Sequence, residues 1–285
     1  MTVNNEEQNI GGCIDSVSWS DDICVLDSGS TDRTIEIAES KGCRIFNRTL
    51  DDWSSHLNWA VRTIPFKHDW VFHIDADERT FPDLVREMQE AVANHQNGHA
   101  AFKLRRKDYF GGVWLKHAQL YPTWFVRLFR RDSVTFERSM HHVANIRGTT
   151  GMLDGHFDHW PFSKGGVAFW IEKHNTYSTF EAKEQILKPP FQPADALSGD
   201  PNKRRKALKA LFGRLPFRPL VYFFYVYVFR LGFLDGMAGF HFAVLKAFYE
   251  YMISIKIREI REGNRARDVA PSDVRAAASS AGRTA

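Results

Sequence analysis

The chain has 285 residues, 44% of them hydrophobic, which allows one large core with appended elements and excludes a generally disordered protein. Its three cysteines, Cys13, Cys24 and Cys43, are odd in number and stand in no Cys-x-x-Cys or Cys/His spacing, which argues against a disulfide framework and for a reducing cytoplasm. Net charge is only +4 but uneven: 16 Lys and Arg face 7 Asp and Glu from Asp200 onward, against 22 and 27 before it, so the two parts are expected to meet different partners and a nucleic-acid role is disfavoured.

The first seven residues show neither a basic nor an apolar leader pattern, so nothing in them marks the chain for export. A helix beginning near Glu7 should follow a buried strand, and residues 1–3 are all that is available for it. That leaves a very short first strand or a misassigned start. Residues 22–26 then read as a buried strand, 31–41 as a helix, 43–46 as a strand, 54–64 as a helix, 70–74 as a strand and 81–95 as a helix. Such alternation predicts βαβ units and an α/β fold with a parallel sheet, in which ligands bind beyond the carboxyl ends of the strands. After His99 the pattern turns to short strands and aromatic loops, including 102–104 and 124–129, before a helix over about 167–187 that prolines 189, 190 and 193 end. The reading is therefore a catalytic domain over 1–188, a linker over 189–202, a basic and aromatic helical extension over 203–262, and a disordered tail over 263–285.

Two polar turns follow the buried strands. In Val25-Leu26-Asp27-Ser28-Gly29-Ser30-Thr31-Asp32, Gly29 permits a tight turn, a hydroxyl can cap the helix, and Asp27 can accept hydrogen bonds from a nucleobase or ribose. In His73-Ile74-Asp75-Ala76-Asp77-Glu78, two carboxylates at a strand end are hard oxygen ligands suited to Mg²⁺ or Mn²⁺, which would bridge a diphosphate. Each turn has a plainer alternative, a capped helix and an acidic loop that binds nothing. Their order on one sheet favours the functional reading.

Asn5-Glu6-Glu7, Val25 through Thr34, and Trp70 through Glu78 resemble the ordered signatures of the family 2 glycosyltransferases. Trp114-Leu115-Lys116-His117, Trp124 through Arg131, His156-Phe157-Asp158-His159, Trp170 through Tyr177 and Leu231 through Gly236 extend the likeness toward the lipopolysaccharide-core β-glucosyltransferase type, over about residues 4–257. The resemblance implies a GT-A fold, Rossmann-like, with a mixed and mostly parallel sheet flanked by helices, and a C-terminal helical extension. It implies transfer of a hexose with inversion from a nucleotide-diphosphate sugar, a UDP-sugar by preference, to a hydroxyl of a lipid-linked or lipopolysaccharide-type glycan. In that scheme Asp27 contacts the nucleoside, with Glu6, Ser28, Gly29 and Asp32 around the donor. Asp75 meets the ribose or diphosphate and shares the metal with Asp77, and Asn58 makes a further donor contact, although Leu57 stands where the family often has Arg.

Inversion by direct displacement needs a base for the acceptor proton. His142 stands in Ser139-Met140-His141-His142-Val143 where an acidic residue is expected, and an imidazole can do that work, with His141, Glu137 and Asp158 as alternatives. Arg127, Arg130 and Arg131 can clamp phosphate through their planar forks, but Arg131 and Asp132 also read as an ordinary charged turn, and Arg127 is the one expected in the site. His156 and His159 are spaced to add a metal ligand or to be buried and hydrogen-bonded. One of Trp114, Trp124 and Trp160 is expected against the acceptor.

The extension pairs Lys203-Arg204-Arg205-Lys206 with an apolar run over 219–229, eleven residues where a bilayer span takes about 20. It reads as a peripheral anchor at the inner face of the cytoplasmic membrane, or else as a surface packed on the catalytic domain or on a second copy of the chain. Two rivals are weighed. An aspartyl-phosphate phosphatase also places DxD after an apolar strand, but wants Thr or Val at the position of Arg79 and a further motif near the N-terminus. A nucleotide-sugar-binding protein of the same fold without transfer activity is the other.

Overall fold

The computed structural model describes residues 1–94, 98–137, 143–161, 164–187 and 217–268. Strand β1 (Thr2–Val3) runs parallel to β2 (Cys24–Asp27), and β2 parallel to β3 (Arg44–Asn47). A parallel bridge between Thr2 and Asp75 joins β1 to the residues just after β4 (Trp70–Phe72). All four residues of β2 are buried, which is why it reads as an unbroken apolar run. Helices α1 (Ile10–Ser16), α2 (Thr34–Ser40), α3 (Trp53–Thr63) and α4 (Pro82–Ala93) alternate with these strands. Asp52 starts α3 by accepting from the Ser55 amide at 2.9 Å.

The sheet continues with β5 (Glu78–Arg79), β6 (His99–Phe110), β8 (Thr123–Arg130) and β11 (Thr149–His159) in the order β4-β8-β6-β11-β5, with β7 (Val113–Trp114) paired to the end of β6. Only the β6–β11 ladder is parallel in this part, so the sheet is mixed. Leu84 and Met88 of α4 pack on Phe102, Leu104, Leu128 and Phe157, the main core beneath these strands. Strands β9 (Val134–Glu137) and β10 (Val143–Ile146) form a separate hairpin. A cavity of about 500 Å³ lies along β4 and the start of β2, lined by Ile23, Trp70, Phe72, Ile74 and Met88.

Contacts divide the chain into two compact units, Met1–Ile171 with Tyr225–Ala243, and Glu172–Phe224 with the chain from Val244 on. This differs from the division expected at 188 and 203. Tyr225–Ala243 belongs with the first unit because the Asp235 carboxylate accepts from the His117 and Ala118 amides and lies 2.7 Å from His117 Nδ1. Helix α5 (Gly166–Leu187) meets its expected range, followed among the described residues by α6 (Arg218–Phe224) and α7 (Gly236–Asp268). In the second unit buried Arg218 pairs with Glu250, and Lys256 reaches Asn175 Oδ1 and Thr179 Oγ1, each at 2.7 Å. Helix α7 continues past residue 263, where the tail was expected to begin. The expected linker, the basic cluster at 203–206 and the chain after 268 lie outside the described residues.

Candidate active site

Parallel pairing sets the site. Val3 is in register with Asp27, and Thr2 bridges Asp75, so the loops after β1, β2 and β4 emerge together at one edge of the sheet. The first two are lashed to each other. Asn5, at φ 54°, accepts from the Thr31 amide at 2.6 Å and the Asp32 amide at 3.3 Å through Oδ1. Asp32 receives the Glu7 amide at 3.1 Å and caps α2 through the Thr34 amide and hydroxyl at 3.0 and 2.5 Å. Burial raises the Asp32 carboxyl, but these hydrogen bonds outweigh it and leave the group below its ordinary value. Glu6 accepts from Asn9 Nδ2 at 2.8 Å and lies 3.5 Å from Lys164 Nζ.

Asp27 is 4% exposed, and the Gly29 and Ser30 amides and the Ser30 hydroxyl, the last at 2.5 Å, all donate to its carboxylate. Gly29 holds φ +92°, which an L side chain resists. Ser28 Oγ sits 3.3 Å from His56 Nε2. The turn is thus a preformed structure, with Asp27 as its internal brace.

The Asp75-x-Asp77 loop is built on a buried ion cluster. Arg127, entering from β8, donates through Nη2 to Asp75 Oδ2 at 2.8 Å and Glu78 Oε1 at 2.5 Å, and its Nη1 lies 3.1 Å from His73 Nδ1. The Asp75 amide donates to Glu78 Oε2 at 3.0 Å. One cation serves two carboxylates here. Burial opposes the Arg127 charge, yet Glu78 and Asp75 raise its pKa further, so it stays a cation. Glu78 is fully buried, and burial pushes its carboxyl up to about 7 against the pull of Arg127. Arg127, expected on phosphate, is therefore committed to the protein's own carboxylates, and Asp75, expected on donor and metal, is held by Arg127.

Asp77 also acts on the Arg127 charge, and it faces a second group of residues. Its Oδ2 lies 3.3 Å from His159 Nε2, and His159 Nδ1 lies 2.6 Å from Asp108 Oδ1, the residue opposite it across the β11–β6 ladder. Arg106 Nη2 reaches the same Asp108 oxygen at 3.0 Å. Burial and Arg106 pull the His159 pKa down, but Asp77 and Asp108 prevail and raise it to about 9, so the ring is an imidazolium at neutral pH. Asp77 Oδ2 and His159 Nε2 therefore face each other as an ion pair, with Asp108 orienting the imidazole from behind, and Nε2 could ligate an ion only after giving up its proton. Among the described residues no group of three His, Cys, Asp or Glu is arranged to hold a metal ion.

The remaining expected residues are dispersed. Asn58 clasps the Phe136 backbone, its Nδ2 donating at 2.8 Å and its Oδ1 accepting at 2.9 Å, and so ties α3 to β9. Glu137 is exposed at the end of β9. Asp158 is 6% exposed and bonded to Tyr109, and burial raises its pKa while Tyr109 and Lys107 lower it. Strand alternation sends it to the face opposite His159. His156 Nε2 is 3.8 Å from Asp158 Oδ1. His141 and His142 lie outside the described residues. Trp160 donates its amide to the Asp77 carbonyl at 2.9 Å and stacks on Tyr109, which makes it the tryptophan that borders the site; Trp114 lies under Lys107 and Trp124 against Arg105.

The sequence reading assigned no role to Glu78, Arg106 or Asp108. On β6, Phe102, Leu104, Arg106 and Asp108 share one face, and two charges continuing a buried apolar stripe were the available signal.

The profile of Glycosyl transferase family 2 matches residues 1–155. The lipopolysaccharide core biosynthesis glycosyltransferase LpsC of Rhizobium meliloti is 27% identical over 89% of this chain and 88% of that protein, and an uncharacterized glycosyltransferase of Rickettsia typhi is 25% identical over 94% and 88%. Among solved structures, Staphylococcus aureus TarS 1–349 aligns over 92% of this chain and 90% of that one, at 14% identity and a TM-score of 0.42. Glucosyl-3-phosphoglycerate synthase of Mycobacterium tuberculosis, in complex with Mn²⁺, uridine diphosphate and phosphoglyceric acid, aligns over 39% and 42%, at 25% identity and a TM-score of 0.32. The mixed sheet, its loops gathered at one edge and the profile match over more than half its length together make the chain a member of glycosyl transferase family 2, with a GT-A fold.

Proposed function

We propose that this glycosyltransferase moves a hexose, with inversion, from a UDP-sugar to a hydroxyl of a lipid-linked or lipopolysaccharide-type glycan, at an anionic membrane surface. The observation that carries the proposal is the Asp77–His159–Asp108 array beside the braced Asp27 turn. The turn receives the nucleoside, and Asp77 would hold Mg²⁺ or Mn²⁺, with His159 able to join it only on release of its Nε2 proton. Such an ion supplies Lewis-acid neutralisation of the departing diphosphate. Arg127 and Glu78 hold Asp75, and through it the backbone of the loop, in the donor-binding shape. The acceptor proton passes to His142, with exposed Glu137 as the alternative base, and Trp160 borders the sugar.

Calorimetric titration of the protein with UDP-glucose, in Mn²⁺ and then in chelator, tests the reading. Saturable binding that chelator weakens is expected, followed by glucose transfer to a truncated glycolipid acceptor. Well-folded protein that binds no nucleotide sugar would overturn it.

A further inference from the structure

The first unit carries an exposed apolar knuckle whose shape is fixed from within. The π-helical turn Tyr225–Phe229 ends at Arg230, Leu231 adopts a left-handed conformation at φ 59°, and the 3₁₀ turn Gly232–Asp235 leads into α7. Around this bend Val228, Phe229, Leu231, Phe233, Leu234 and Met237 are 44–80% exposed. The bend is locked. A side chain on Gly232 would meet the Val226 carbonyl oxygen, and one on Gly239 would meet the Gly232 carbonyl oxygen. Asp235, 8% exposed, is bonded to the His117 and Ala118 amides. A segment that buries Asp235 and fixes a reversed bend while turning six large apolar side chains outward keeps them there against the hydrophobic effect.

Charge and length indicate the occupant. By sequence, residues 203–237 contain eight Lys and Arg and one acid, Asp235; six of the eight, at 203–214, lie outside the described residues and Arg218 pairs with Glu250, and the excess of cations along this stretch complements an anionic surface. Among the described residues no single helix is long and apolar enough to cross a bilayer, and the two limbs of this stretch bend by 72° at the break between Phe229 and Gly232. A bent, shallow apolar tip suits the headgroup–acyl boundary of one leaflet.

We propose that this knuckle is the element that inserts into an anionic phospholipid surface and pins the catalytic unit to it. The inference rests on the membrane-surface reading above and names the residues that carry it. The test is co-sedimentation of the full chain with vesicles of phosphatidylcholine alone or mixed with phosphatidylglycerol. Wild type is expected to bind the anionic vesicles, and Phe229→Ser with Leu234→Ser to bind about tenfold or more weakly per residue, with unchanged thermal unfolding and unchanged UDP-glucose binding. Phe229→Trp should show added quenching by vesicles with brominated acyl chains. Wild-type binding by the Ser variant, with no added quenching, overturns the knuckle but leaves the membrane reading standing. No vesicle binding by wild type overturns both. A wild-type dimer that the Ser variant converts to monomer, with vesicle binding unchanged, makes the knuckle a seam between two copies and overturns the proposal.

Discussion

At the scale of single residues, the site works through side chains that hold other side chains. Asp77→Ala should abolish transfer while unfolding stays near wild type, because Asp77 is partly exposed. Asp108→Asn leaves Asp77 in place but weakens the anchor of His159; Mn²⁺ affinity, read by electron paramagnetic resonance in the absence of donor, should fall about 10–100-fold. Glu78 yields a stability prediction with a definite sign. Its folded pKa of about 7 lies above the ordinary carboxyl value of 4.5, so its favourable contribution is complete below 4.5 and lost as pH rises through 7. Chemical denaturation of Glu78→Gln should show a flatter pH dependence across that window. Asp27, Asp75 and Asp77 were legible in the sequence as carboxylates closing buried strands. That Asp75 and Asp77, two residues apart, serve different partners was not legible, because Arg127 and His159 arrive from β8 and β11, far along the chain.

At the scale of elements, local pattern and outcome agree where burial is one-sided. Helices α3 and α4 and strands β2 and β4 fall within two or three residues of their expected ends, since apolar periodicity and start signals such as Asp52 and Pro82 act within a few residues. Strand β6 was seen only at 102–104 and runs over His99–Phe110, because its charged half is stabilised by ion pairs that strand propensity does not report. Asn58 shows the same limit. It was expected on the donor and instead joins α3 to β9, so Asn58→Ala should cost about 1–3 kcal/mol in chemical denaturation by stripping partners from the Phe136 backbone, with little change in UDP affinity.

At the scale of the molecule, the assignment of Tyr225–Ala243 to the catalytic unit changes what truncation should do. Deleting the chain from Asp200 removes Asp235 and the knuckle from a compact unit, so the shortened protein is expected to aggregate, as light scattering and gel filtration would show; a soluble, monomeric product would mean that the first unit is complete without them. The sequence by itself determined the alternation of strands and helices, the two loops at strand ends and the family, because these rest on periodicity and short motifs whose physics is local. Only the tertiary structure decided the division of labour within Asp75-Ala76-Asp77-Glu78, the pairing of His159 with Asp108, and the return of Tyr225–Ala243 to the first unit. Each depends on sheet register or on contacts between residues 49 to 118 positions apart, and a buried charge takes its role from whichever partner the fold brings within hydrogen-bonding reach.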